Sequence, residues 1–292
     1  MALRTHVRQT VNDVLKGVNL KVDTLTRERA EEERFRRLVV SGHFDRPAFP
    51  TPPAFLRSDA ERVLEAVAKY ESCFAPLDAD DDGVGYCFNN IWFTSPDAEV
   101  LYTLIREHRP KTVLEVGCGN STRVTRQAIR DGQLDTRLIA IDPQPRRDVE
   151  GLVDEFIQQP VESGLTVERL TTLLAPGDVL FIDSSHCVKC GSDVVFLLLQ
   201  VIPNLPAGVL IHVHDVFLPY DYPQDWIVDE RRGWNEQYLV QAMLMFGDQF
   251  EVLWPGHYLQ RTRADFATYF PHCNGRSAQS LWLRKRAEQT PE

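Results

Sequence analysis

The stretch Val113-Leu-Glu-Val-Gly-Cys-Gly-Asn-Ser-Thr122 constrains this chain more than any other. Val113, Leu114 and Val116 form a short apolar run of the kind that becomes a buried strand. Gly117 and Gly119 then permit a turn in which backbone N–H groups can face a ligand, and Ser121-Thr122 opens a helix. A second run, Arg137-Leu-Ile-Ala-Ile-Asp142, ends in an acid, and a carboxylate there can accept both hydroxyls of a ribose. A dinucleotide fold requires G-x-G-x-x-G, whereas Thr122 stands at the third glycine and Glu115 precedes the first. The fingerprint is therefore not that of a dinucleotide site.

From residue 113 onward strands and helices alternate. Strands are expected at 113–116, 137–142, 155–158, 178–182 and 207–213, with helices at 121–131, 147–153, 166–174 and 191–201. Glu251-Val-Leu-Trp254 and Ser280-Leu-Trp-Leu-Arg284 read as the last two strands. The pattern predicts an α/β fold, a Rossmann-like, doubly wound, mostly parallel sheet with helices on both faces and the ligand site at the carboxyl ends of the strands.

Upstream, residues 5–38 carry Val7, Val11, Val14, Val18, Val22 and Leu25 at helical spacing, with Gly17 suggesting two helices rather than one. So narrow an apolar stripe needs a partner, either a second copy of the chain or its own catalytic domain. Four prolines between Phe44 and Phe55 predict an extended connector, and a helix follows at 58–73. Asp78-Ala-Asp-Asp-Asp-Gly83 lacks the ligand spacing of a calcium loop and reads as an acidic turn. Ser95 is placed to cap a helix over 95–108 with Pro96 at its first position. The organisation expected is a helical extension and connector over 1–80 and one ligand-binding domain over 81–292.

A net charge of −10 on 292 residues argues against a nucleic-acid partner, which needs concentrated positive charge, and favours a small-molecule substrate. No run approaches the 18 or so apolar residues of a membrane span, so no membrane association and a cytoplasmic location are expected. Cys187 and Cys190 make a single C-x-x-C, which without a second pair reads as reduced thiols, like the other four cysteines.

Ionisable residues close the next two apolar runs. Val179-Leu-Phe-Ile-Asp183 continues into Ser184-Ser-His186, and Val209-Leu-Ile-His-Val-His-Asp215 ends in His-x-His-Asp. In a parallel sheet these ends converge on the edge that holds the glycine turn, where buried charges are costly unless paired or used. His212, deeper in its strand, is expected to be a hydrogen-bonded core histidine. His214, Asp215 and His186 are the catalytic candidates, with a histidine as general base; Asp183, His214 and Asp215 are alternatively the ligands of a divalent ion. The Pro- and aromatic-rich stretch beyond supplies candidates for the substrate wall: Tyr220, Tyr222, Trp226, Trp234 and Glu236.

Taken in order, GYCFNNIWFTSPDAEVLYTLIRE, VLEVGCGNST, FIDSSH with GSDV behind it, GVLIHVHDVFLPYDYPQDW and WNEQYLVQAML resemble the class I S-adenosylmethionine-dependent methyltransferases, in particular the small-molecule group called methyltransferase domain twenty-four. The resemblance spans roughly residues 85–285 and implies S-adenosylmethionine as cofactor. It puts Glu115, Gly117 and Gly119, with Ser121 behind them, at the methionine end, Asp142 at the ribose and Asp183 near the methyl group. Acids ending the fourth and fifth strands resemble the metal arrangement of catechol-type O-methyltransferases, although a histidine among the ligands favours a softer ion than magnesium. Because no Asn/Asp-Pro-Pro-aromatic motif stands at 183–186, O-methylation of a hydroxylated small molecule is expected over N-methylation. A non-catalytic binding protein on the same fold and a His/Asp metal enzyme of other chemistry are the competing readings.

Overall fold

The computed structural model describes residues 2–78, 85–146 and 148–287. Seven strands form one sheet in the order β3-β2-β1-β4-β5-β7-β6. They are β1 Thr112–Val116, β2 Arg137–Ile141, β3 Glu155–Ile157, β4 Val179–Ile182, β5 Leu210–Val213, β6 Phe250–Pro255 and β7 Leu281–Lys285. The first five are mutually parallel, and β7 runs antiparallel between β5 and β6. This is the Rossmann-like sheet expected from the alternation.

The apolar runs are continuous because both faces of the sheet are covered. Val113, Leu138, Val179, Phe181 and Leu210 point into one core with helices Ala60–Lys69, Asp97–His108 and Asn120–Asp131. Leu114, Val116, Ile139, Leu180, Ile182 and Ile211 point into the other, beneath segments 193–202 and 236–246. The start of β1 is pinned by Asp178, whose Oδ1 accepts the Lys111 and Thr112 N–H groups while Oδ2 accepts that of Ala175, each at 2.8 Å.

Register sets the site. Val116 pairs with Ile141 on one side and Ile182 on the other, and Ile182 pairs with Val213. The residues one step beyond, Asp142, Gly117, Asp183 and His214, therefore stand in a row along the carboxyl edge. The chain leaves β1 for β2 on one side and returns from β3 to β4 on the other, which opens a crevice there, as expected at a topological switch point.

Several local expectations are corrected. Ser95 does not cap its helix: its Oγ donates to Glu99 Oε1 at 2.6 Å, and the helix runs Asp97–His108. No helix covers 148–153, where the Asp148 carboxylate accepts the Glu150 N–H and closes a turn instead; Arg147, like residues 79–83 of the acidic turn, lies outside the described residues. Ser192 caps the next helix, which is α-helical only over Asp193–Phe196 before it widens into a π turn, Leu197–Val201. The six cysteines are free thiols. Among the described residues no helix is long and apolar enough to cross a membrane.

The N-terminal segment forms two helices, Ala2–Leu15 and Thr26–Val40, broken after a turn at Lys16–Val18 that contains Gly17. The second has a partner in its own chain. Phe35 is buried with the Arg231 guanidinium 4.9 Å from its ring centre. Pro219 O accepts the N–H groups of Ala48 and Phe49, Pro50 O accepts Gln241 Nε2, and His43 Nε2 meets Asp221 Oδ2 at 2.8 Å. The proline-rich connector thus straps the stretch 217–238 onto the sheet. Phe35→Ala, by removing a contact worth about 1 kcal/mol, is expected to speed tryptic cleavage at Arg231 and Arg232 about fivefold with little change in the global melting temperature. An unchanged cleavage rate would show that the strap does not hold this stretch.

Candidate active site

The glycine turn is dictated by β4. Gly117 has a φ of +80°, and a Cβ there would lie 1.7 Å from the Asp183 carbonyl oxygen, so no side chain fits between the two strand ends. Beyond it, the Cys118 N–H donates to Asp142 Oδ2 at 3.1 Å and the Gln144 N–H to Asp142 Oδ1 at 2.8 Å. These bonds orient the Asp142 carboxylate, whose oxygens keep further acceptor capacity. Gly119 donates its N–H to Thr122 Oγ1 at 2.9 Å.

Glu115 is buried behind the turn. Its Oε1 accepts the Ser121 hydroxyl at 2.5 Å, whereas Oε2 has no partner. Burial pushes its carboxyl up to about 8, against the lowering effect of the Ser121 and Thr122 hydroxyls.

The second half of the site is a cluster of acids and imidazoles. His186 Nε2 lies 3.2 Å from Asp183 Oδ1 and 3.3 Å from Asp215 Oδ2, while its Nδ1 meets Glu236 Oε2 at 2.9 Å. His214 Nδ1 is 3.7 Å from Asp183 Oδ1 and 3.6 Å from Asp215 Oδ1, and its Nε2 is 3.8 Å from Asp97 Oδ2. Burial opposes charge on both rings. The bonds of His186 to Asp183 and Glu236 and the charge of Asp215 nevertheless raise it to about 10. Asp215 and Asp183 likewise hold His214 well above the ordinary histidine range. Asp183 is correspondingly held well below the usual carboxylate range, burial notwithstanding, by His214 and His186. Both His186 and Asp215 sit in left-handed backbone, with φ of +57° and +56°. Such conformations are costly for residues other than glycine and persist where surrounding contacts over-determine them. The neighbours here include Asp193, which accepts the Ser185 hydroxyl at 2.6 Å and N–H at 2.8 Å.

The two halves share one cleft of about 820 Å³. Gly117, Asp142, Asp183, His186, His214 and Asp215 line it, with Trp226 and Trp234 on the far wall and Trp92 at the near one. Three of the substrate-wall expectations are corrected. Tyr222 is buried, its hydroxyl accepting the Gln237 N–H at 3.1 Å; Tyr220 packs on His257 and Arg261 away from the cleft; Glu236 lies behind His186. Glu115, Ser121 and Gly119 support the turn from behind rather than forming the cleft surface. His212 is the core histidine expected, bonded to Ser280 Oγ at 2.9 Å and stacked on Phe181.

The metal set also changes. Asp183, His186 and Asp215 offer ligand atoms all within 4.8 Å of one another, so His186 takes the place expected of His214. The reason is the turn after β4, which folds His186 back over the sheet edge. Residues missed in the sequence include Asp97, whose carboxylate accepts the Gln279 and Ser280 N–H groups, and Arg232 on the cleft wall. Asp97 reads in sequence as an ordinary first-turn helix acid.

Gly117→Ala is expected to cost about 2–4 kcal/mol and to lower the melting temperature by roughly 10 °C. A variant melting with the wild type would mean that the turn relaxes away from Asp183.

Residues 114–216 match the model of a family described as a methyltransferase domain. No curated protein matches the chain significantly in sequence. Among solved structures, the chain is similar to the S-adenosylhomocysteine-bound methyltransferase PaMTH1 of Podospora anserina, at 19% identity over 76% of this chain and 88% of that one, with a TM-score of 0.43. It is also similar to the O-methyltransferase TomG of Streptomyces achromogenes, involved in tomaymycin synthesis, at 17% identity over 76% and 90% of the chains and a TM-score of 0.41. A putative O-methyltransferase of Klebsiella pneumoniae matches at 16% identity over 82% and 92%, with a TM-score of 0.42. Over residues 114–216 the chain is thus similar to a methyltransferase domain.

Proposed function

We propose that the protein transfers a methyl group from S-adenosylmethionine to a hydroxyl oxygen of a small molecule. The observation that carries this reading is the row Asp142, Gly117, Asp183 and His214. It sets a nucleotide-binding edge and a buried acid/imidazole cluster side by side in one cleft. A cleft of about 820 Å³ has room for a nucleoside cofactor and a small acceptor together.

The residues fit the cofactor. Asp142 is held by two backbone N–H groups at the end of β2, suited to a ribose diol. When bound, the cofactor supplies an electrophilic methyl on a sulfonium sulfur. Gly117 leaves the backbone bare at the strand end, and Trp226 and Trp234 keep water from the acceptor side.

The cluster also fits a divalent ion. Three carboxylates converge on His186, and the point where its Nε2 meets Asp183 and Asp215 can hold either the ring's proton or a metal ion. Glu236 holds Nδ1 as an outer carboxylate commonly orients a ligating imidazole. Asp183, His186 and Asp215 would hold the ion, which would lower the pKa of a bound acceptor hydroxyl; two oxygens and one nitrogen suit manganese, iron or zinc as well as magnesium. Asp183, the most exposed carboxylate of the three, is assigned to orienting the acceptor hydroxyl. His214 balances the charge of Asp183 and Asp215.

Calorimetric titration of S-adenosylhomocysteine tests the donor. Binding weakened tenfold or more in Asp142→Ala is expected; no binding by the wild-type protein, checked at two temperatures, would overturn the reading. With an acceptor in hand, Asp183→Asn is expected to lower kcat about 100-fold or more while the affinity for S-adenosylhomocysteine stays within a few-fold. Dialysis against a chelator should abolish turnover, with recovery on adding manganese or magnesium.

A further inference from the structure

Two arginines line the cleft among the described residues, Arg146 and Arg232. Arg146 follows Asp142 by four positions and lies over the Trp92 ring, on the cofactor side. Arg232 stands on the other side, and its setting is built. Its Cζ is 4.0 Å from the centre of the Trp226 ring and 4.5 Å from that of Trp234, two indoles set edge to face at 5.1 Å. Its backbone N–H is tied to Trp226 O at 2.9 Å, and its Nε donates to the exposed Glu230 at 2.6 Å. The two Nη groups have no acceptor among the described residues.

With indoles packed against the guanidinium, polar contact is left to its in-plane N–H edge, a planar fork that matches carboxylate and phosphate oxygens. The stack also holds the cation apart from the acids of the same cleft, Asp183 and Asp215 among them. Trp234 bridges the two: its ring centre is 4.3 Å from that of His186, so one indole separates the cluster from the guanidinium. In a protein of net charge −10, an anion entering an acid-lined cleft needs such a local cation.

We infer that the methyl acceptor is a hydroxylated oxyanion, a carboxylic acid or a phosphate ester, whose charged group is gripped by the Nη edge of Arg232 while its hydroxyl reaches Asp183 and Asp215. The inference rests on the acceptor-side reading proposed above, and it makes Arg232 the residue that sets specificity.

The test uses the full chain saturated with S-adenosylhomocysteine. Tryptophan fluorescence, which senses Trp226 and Trp234, is read while 4-hydroxybenzoate or glucose 6-phosphate is added, with methyl 4-hydroxybenzoate and glucose as uncharged counterparts. At least one anion is expected to bind about tenfold or more tighter than its neutral counterpart, the increment of a charge-assisted pair. A response to 4-hydroxybenzoate alone identifies a carboxylate, and a response to glucose 6-phosphate alone a phosphate. Arg232→Gln should abolish the preference without altering S-adenosylhomocysteine affinity. Glu230→Gln, on the exposed side of the loop, should tighten anion binding severalfold and keeps the test decisive if the first variant fails to fold. No preference for either anion, a preference that survives Arg232→Gln, or an unchanged affinity in Glu230→Gln overturns the inference. Failure of the wild type to bind S-adenosylhomocysteine would instead sink the donor reading, and the anion titrations then still report on Arg232.

Discussion

The pairing register of four parallel strands is the constraint on which the rest of this molecule depends. Ile141, Val116, Ile182 and Val213 lie in one row, and each is the last apolar residue before a turn. A slip of one residue in any strand would turn its buried side chains to the other face and carry Asp142, Asp183 or His214 out of the row. Such slips are opposed by burial on both sides of the sheet, because Leu114, Ile139, Leu180 and Ile211 are completely enclosed. The hydrophobic cores therefore act as the alignment device of the site, and chemistry is confined to the one edge where apolar packing ends.

That edge carries a high local density of charge. Asp97, Asp183, Asp215 and Glu236 surround His186 and His214 at distances of 2.9 to 3.8 Å. Isolated charges of this kind could not be buried; together they compensate. The cost reappears in the backbone, where His186 and Asp215 take left-handed conformations, and in oxygens left without donors, Glu115 Oε2 and Glu236 Oε1. Local rules are broken where the two strand ends meet the cleft, and strain held in such a place is better understood as preorganisation than as a defect of folding.

The sheet was legible in the sequence because parallel strands covered on both faces are short apolar runs ended by polar turns, and β1, β2, β4 and β5 meet that description. The glycine turn was legible because only glycine fits beneath the Asp183 carbonyl. What escaped was whatever depends on a side chain turning back on itself. Spacing gives no sign that His186, three residues past Asp183, folds over the edge while Tyr222 points inward and Glu236 stands behind an imidazole. Ser95 has the composition of a cap, but the buried Glu99 carboxylate competes for its hydroxyl and wins. Arg232 was invisible for another reason: its significance lies in two indoles six residues before it and two after it, brought together by a π turn at Asp225–Asp229 and the loop that follows it.

That loop also explains the N-terminal segment. Residues 217–235 have little regular structure with which to satisfy their own backbone, and the acceptor wall stands on them. Proline-rich chain is suited to bracing such a stretch, since its extended form loses little entropy on ordering and its carbonyls are free to accept. Here the bracing is reciprocal, with Pro219 O taking two N–H groups from the connector and Pro50 O taking the Gln241 amide. Phe35 beneath Arg231 extends the brace to the residue adjoining Arg232. A change in the first fifty residues is therefore passed to the wall that carries Trp226, Arg232 and Trp234 through the packing of one aromatic ring and a few backbone bonds, whereas among the described residues β1 and β2 share no such bond with the connector.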